Sequence, residues 1–371
     1  MHIFAGIAGI ALIGFILLHG FSTIILARRS ELFFKATATF YHGTWAPFAA
    51  LGKRIRSGRD RESYLSVYGP ASLIALIGGW GAGLVVAFGL LQWAAGLRLT
   101  PSTASLADSI FLSGVTLFEV GGPPPENGWS KLLVVLESGL GIGFLGLLVG
   151  YLPVLYQSYS RRELLTSILD VRAGSPSSAS SFFKRQGMSV PDVRQQFSKC
   201  ETWAADILQD HLSYPMLAYF RSQHINQSWL GTLVTILDAS ALAIVCGVPE
   251  LSVQAKATFA VSRHSVADLA RLFAAAPHGA PDRLPPPALE KLTNELSRGA
   301  CLLDMGKFDA SELNRYRSMY EPYAQALSVY FLMSLPEWRQ DDSRPDNWVA
   351  STWDSRDDSA VSDPFSSGNS K

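Results

Sequence analysis

The sequence predicts an all-α integral membrane protein, with three transmembrane helices, a re-entrant short helix and loop, and a cytosolic helical domain. Three observations carry this. Ile3 to Ala27 and Ala71 to Leu97 contain no Asp, Glu, Lys or Arg, and Leu132 to Gln157 contains only Glu137. About 20 apolar residues cross roughly 30 Å of hydrocarbon, so each stretch is long enough to span. Between the second and third lies LADSIFLSGVTLFEVGGPPPENGW, a short apolar segment from Leu106 that runs into a Gly/Pro-rich turn. Half-length helix, irregular loop and full-length helix make a re-entrant layout, which lipid tolerates only where protein or a water-filled cavity satisfies the irregular backbone. After Arg162 the composition turns polar, and apolar residues recur at helical spacing from Pro191 to Leu335 without strand alternation.

Residues 1–27 form the first span. The basic pair Arg28-Arg29 follows the apolar run instead of preceding it, which is the flank of an uncleaved anchor, not of a secretory leader. Residues 28–66 form a basic cytoplasmic segment, in which Phe33 to Phe48 fits an amphipathic helix along the inner membrane surface. Residues 67–160 hold the second span, the short helix, the loop and the third span. Gly78, Gly79, Gly81, Gly83 and Gly89 stud the second span, and small residues let helices approach closely in lipid. Ser102 or Ser105 is placed to cap the short helix, which runs to about Phe118. Residues 161–190 read as a linker, flexible at GSPSSASS from Gly174 to Ser181.

Residues 191–338 are the cytosolic helical domain. Ser198 caps a helix through Tyr214, with Trp203, Ile207 and Leu208 on one face, and Lys256 to Ala276 and Ala288 to Asp304 supply further helices. Ser311 to Met333 is read as one helix kinked at Pro322. Trp229 to Val248 is apolar enough for a fourth span, but central Asp238 would cost about 2.5 to 3.5 kcal/mol there, so it is assigned to a buried cytosolic helix. Residues 339–371 are polar and acidic and read as a disordered tail.

At 371 residues the chain suits two domains. A net charge of zero gives no bulk-charge case for nucleic-acid binding. Cys200, Cys246 and Cys301 are odd in number and widely spaced, which fits free thiols in a reducing compartment. His211, His224 and His264, with Asp210 and Asp268, are read as core or surface residues and not as a metal site. Ser, His and Asp occur without a GxSxG elbow, so no enzyme and no cofactor is expected.

Thr116-Leu117-Phe118-Glu119-Val120-Gly121-Gly122 resembles the potassium-channel pore signature, in which a Thr-Val-Gly-Tyr-Gly loop follows a pore helix. Val120-Gly121 matches. Glu119 stands where the family has its filter threonine, one aromatic residue is missing between Gly121 and Gly122, and Pro123 replaces the following aspartate. Val134 to Tyr159 is similar to the inner helix of bacterial two-helix pore domains. The resemblance implies a re-entrant pore helix and loop, a homotetramer in the cell inner (plasma) membrane, monovalent or divalent cations as permeant ions, and regulation of the pore by the cytosolic domain through an unidentified ligand. The filter-like residues are Thr116, Glu119, Val120, Gly121 and Gly122; pore-supporting or hinge positions are Glu137, Gly139, Gly143 and Pro153.

Two roles fit Glu119: a ring of four carboxylates that attracts cations, or a brace behind the loop in a non-conducting scaffold or sensor. Glu137 suits bracing of the loop or direct ion binding. Gly139, Gly141, Gly143 and Gly146 suit a hinge or close packing on the pore helix. Pro153 removes a helical donor and suits a kink at the inner end.

Arg28 to Tyr64 is strongly basic, whereas Arg98 to Lys131 carries only its two border cations. The positive-inside rule then puts the N-terminus outside and the C-terminal domain in the cytoplasm. Reporter fusions made after Gly58 and after Gly174 are expected to give cytoplasmic signals, and a periplasmic signal from either reverses the orientation.

Overall fold

The computed structural model describes residues 1–24, 31–99, 102–184, 189–224, 226–277, 281–299 and 302–340. Arg28, Arg29, Cys301 and the tail from 341 onward lie outside them. Four helices are long and apolar enough to cross a membrane: His2–Ile24, Gly58–Ala94, Gly128–Ala173 and Trp229–Cys246. The chain divides into two compact units, one of Met1–Ile55 with Ser63–Gln157 and one of Arg56–Glu62 with Ser158 onward.

In the first unit, α1 (His2–Ile24) packs along α4 (Tyr68–Ala94). Ala5, Gly9, Ile16 and His19 form its buried stripe, while Ile3, Phe4, Ile7, Ile10 and Phe15 stay exposed, as a lipid-facing helix requires. The buried polar groups of this interface satisfy one another. Trp80 Nε1 donates to His19 Nδ1 at 3.1 Å, and the opposite ring nitrogen lies 2.8 Å from Thr37 Oγ1. Thr37 belongs to α2 (Glu31–Arg54), whose buried Thr37, Tyr41, Trp45 and Ala49 recur every fourth residue. That spacing is one face of a helix, and this face meets α1 and α4. A short helix, α3 (Gly58–Ser66), precedes α4.

A two-residue hairpin, β1 (Arg98–Leu99) with β2 (Ser102–Thr103), leads into α5 (Leu106–Leu117). The short helix packs against α4, and Gly89 permits it, because a Cβ there would lie 2.9 Å from the Ile110 Cα.

The third apolar stretch is longer than its hydropathy shows. The helix α6 (Gly128–Ala173) has 46 residues and runs through Pro153 without a break in assignment. The expected linker therefore does not begin at residue 161. Nor is Gly174 to Ser181 a flexible tether: Ser175, Ser178 and Ser180 are buried, Ser175 Oγ donates to Asp170, and α7 (Ala179–Lys184) starts within the stretch. A small-polar composition serves a linker or a tightly packed turn equally well, and here the partners decide for packing.

The second unit is a helical bundle around α9 (Trp229–Cys246). That helix is touched by α7, α8 (Val190–Ser213), α10 (Pro249–Leu272), α12 (Ala310–Ser318) and α13 (Glu321–Phe331), with α11 (Pro286–Gly299) against α7. Two expected boundaries are corrected. The helix with Trp203 begins at Val190 with Ser189 as its cap residue, so Ser198 lies inside it, and Leu208 sits off the buried face of Phe197, Trp203 and Ile207. Residues 311–333 are not one kinked helix. Pro322 lies in the first turn of α13, where its missing N–H costs nothing, and α12 ends before it.

Every residue of α9 except Ile244 is buried by protein. Asp238 at its centre is fully enclosed and accepts from Arg283 at 2.6 and 3.2 Å and from the Tyr320 hydroxyl. Arg283 also reaches Glu321 at 3.2 Å and the Pro336 carbonyl at 2.7 Å, and Arg317 holds Glu321 at 3.0 Å and bonds Asp282. An acid in the middle of an apolar helix is tolerable when its charge is paired and its lone pairs are filled. Replacing Arg283 by Leu leaves that charge uncompensated, and the full chain in detergent is expected to lose about 3–5 kcal/mol of unfolding free energy. The double change Asp238→Leu with Arg283→Leu recovers part of it. A single-variant loss under about 1 kcal/mol would show the pair to be unimportant.

Candidate functional site

The site is the turn between α5 and α6. Its first half follows from a helix start. Ser105 accepts from the Asp108 N–H at 3.2 Å while Asp108 accepts from the Ser105 N–H at 2.8 Å, a reciprocal cap. The Ser105 hydroxyl also donates to Asp108, and hydrogen bonds to the Ser105 hydroxyl and amide hold the Asp108 carboxyl below the usual range. Of the two candidate caps, Ser105 is therefore the one used.

The helix stops in a Schellman turn. The Val120 N–H donates to the Val115 carbonyl at 2.9 Å, and the Glu119 N–H to the Thr116 carbonyl at 3.2 Å. Such a stop requires a left-handed residue, normally glycine. Here it is Glu119, with φ +54°, which is uncommon for a residue with a side chain. This corrects one expected site residue. Thr116 belongs to α5 and its carbonyl terminates the helix, so it is not part of the loop.

The loop proper is Glu119 to Glu126. Glu119, Val120, Gly121 and Gly122 are all exposed in the single chain, and Gly121 has φ +86°. The far end is anchored: the Glu126 N–H donates to the Arg98 carbonyl at 3.1 Å and the Asn127 side chain to the Ala95 carbonyl at 3.1 Å. Pro125 is buried.

Two carboxylates of the site are engaged by serines. Glu137 on α6 is fully buried, and its Oε1 accepts from Ser113 on α5. Ser113 Oγ also lies 2.8 Å from the Val85 carbonyl of α4, so one hydroxyl draws three helices together. Glu137 Oε2 is buried without a hydrogen-bond partner. Glu137 thus braces the short helix that leads into the loop. Glu119 accepts from the Ser138 hydroxyl of α6.

The four α6 glycines from 139 to 146 separate into two kinds. A Cβ on Gly141 would collide with the Leu117 backbone carbonyl, whereas Gly139, Gly143 and Gly146 have nothing within 4 Å of that position. Close packing on the short helix is therefore the work of Gly141 alone. Sequence reasoning passed over Ser113 and Ser138, since an isolated serine in an apolar helix carries no signal until its partner is known.

The histidines make no centre. His211 is buried with Nδ1 2.7 Å from the Ile207 carbonyl, and burial, aided by Arg162, brings its pKa down to about 3, so it is a neutral core side chain. His264 and Asp268 do form an i,i+4 pair on α10, at 3.2 Å on an exposed face. That i,i+4 spacing is legible in the sequence. Among the described residues no group of three His, Cys, Asp or Glu side chains could hold a metal ion. No protein-family model matches the chain, and no curated protein or solved structure matches it.

The Gly141 contact gives a direct test. Gly141→Ala forces α5 and α6 apart and is expected to cost about 1–3 kcal/mol by overpacking, read as a lowered unfolding midpoint in detergent. Gly139→Ala and Gly143→Ala leave the midpoint of the single chain in place. Equal effects at all three positions would contradict the assigned contact.

Proposed function

We propose that this protein is a cation channel. Three membrane-spanning helices, α1, α4 and α6, surround α5 as a pore helix, and four chains assemble around a shared axis. The observation that carries this reading is the held turn after α5: a half-length helix stops on a left-handed acidic residue, presents Val120-Gly121-Gly122 outward, and is fastened on both sides to full-length helices. Exposed carbonyls in such a loop replace ion hydration only when several copies face one another, and one chain supplies one loop. The α6 helix leaves Val135, Leu136, Ile142, Leu145 and Val149 exposed, which suits burial against lipid and against neighbouring copies. The second unit acts as the regulatory domain in the cytoplasm, and the membrane is the cell inner membrane.

Glu119 sets the expected selectivity. Its exposed carboxylate at the head of the loop puts four negative charges near the axis of a tetramer, which favours divalent cations and weakens discrimination of potassium from sodium. A second reading, a membrane scaffold that keeps the pore-domain shape without conducting, is favoured by one observation, the bond from Ser138 to Glu119. In that case the carboxylate serves as an internal tie.

The two readings separate in planar bilayers. Native mass measurement of the purified protein is expected to give a tetramer, and Glu119→Gln is expected to weaken divalent block or permeation with the tetramer intact. If the same change abolishes the tetramer or all current without a specific divalent effect, the tie reading holds. A strictly monomeric protein removes the channel.

A further inference from the structure

The second unit contains a cleft of about 230 Å³ that no part of the pore reading uses. Its walls come from Gly58, Arg61 and Glu62 of α3, from Thr166 and Asp170 near the end of α6, from the N-terminus of α9, and from the chain after α13. Residues 58–62 lead directly into α4, and Asp170 sits on the helix that carries Glu137. Residues of α3 and of α6 therefore both line it.

Three arginines and three acids line it, and one guanidinium nitrogen among them has no partner. Arg221 is 7% exposed and donates to the Leu332 carbonyl at 3.3 Å and to the Phe331 carbonyl, with Glu62 at 3.4 Å. Arg61 lies close enough that, after burial itself, its charge further depresses the Arg221 pKa against the opposing pull of Glu62. Arg61 Nε is buried and has no hydrogen-bond partner. The acids of the cleft are otherwise occupied: Glu62 faces Arg221, Asp170 accepts from Gln227 at 2.8 Å and from Ser175, and Glu337 is exposed to solvent. A third cation, Arg339, is bonded to Glu295. Ser228 accepts from the Gly231 N–H at 2.9 Å, which leaves its own proton for another acceptor, and the positive end of α9 opens beside it. What the cleft lacks is an acceptor for Arg61 Nε, and its planar guanidinium, with the Arg221 guanidinium and hydroxyl and amide donors nearby, suits phosphate oxygens.

We infer that this cleft binds a phosphate group through Arg61 and Arg221 with Ser228, and that it is where a regulatory ligand acts on the pore. The second clause rests on the channel reading, and the first does not. The phosphate belongs either to a small soluble ester or to a lipid headgroup.

The test is equilibrium binding of radiolabelled inorganic phosphate to the full chain in neutral detergent. Saturable binding is expected, with Arg61→Gln weakening it by about tenfold or more, the loss of a charge-assisted bond. Arg61→Lys retains much of it, and Arg59→Gln, an exposed neighbour outside the cleft, leaves it unchanged. Absence of saturable binding, or equal binding by Arg61→Gln, overturns the site. Lipid nanodiscs identify the source: suppression of phosphate uptake by phosphatidylglycerol, relative to phosphatidylcholine alone, assigns the cleft to a headgroup, and equal uptake assigns it to a soluble ester. Currents recorded from the same preparation separate the two claims. Binding without any current keeps the site and removes the channel, whereas current that ignores bound phosphate removes the regulatory role.

Discussion

The hydrogen bond between Ser113 and Glu137 is the constraint on which the membrane unit depends. A half-length helix inside an apolar bundle has little surface of its own to hold it. Its ends expose backbone groups, and those groups need fixed partners when water is scarce. Ser113 lies midway along α5, and its hydroxyl meets both the Glu137 carboxyl and the Val85 carbonyl. The short helix is thereby registered against α4 on one side and α6 on the other. Gly89 and Gly141 allow that approach because a side chain at either would strike backbone. With the helix so placed, its Schellman stop sets where Glu119 points and where the loop begins.

The second unit solves a related problem, a buried charge in an apolar helix. Asp238 would be prohibitive in an apolar helix unless opposed, and Arg283 opposes it from the segment just before α11. The same guanidinium draws in Glu321 and the Pro336 carbonyl, so the residues that follow α13 are fastened to the bundle. Trp338 lies buried against Arg283 and Arg317. Breaking one charge would therefore unfasten several segments together, since buried charge networks fail as units.

The helix α6 contributes residues to both units. Its first part carries the glycines and Glu137, and its last part carries Arg162 and Asp170, which bond to the bundle through the Leu217 carbonyl and Gln227.

By itself the sequence determined the helical class, the apolar stretches and the existence of a short helix followed by a Gly/Pro turn. Each of these rests on local composition and period, which need no partner to be read. It also marked Glu119, Glu137 and Asp238, because an acid in apolar surroundings stands out wherever it is. The tertiary structure alone decided what those acids do, since burial and pairing depend on residues distant in the chain: Ser113 for Glu137, Ser138 for Glu119, Arg283 for Asp238. It decided as well that Gly141, among four similar glycines, is the one in contact. The serine-rich stretch after Gly174 shows the limit most clearly. Small polar residues take their state from their neighbours, and here Asp170 and Thr235 bind them into the core.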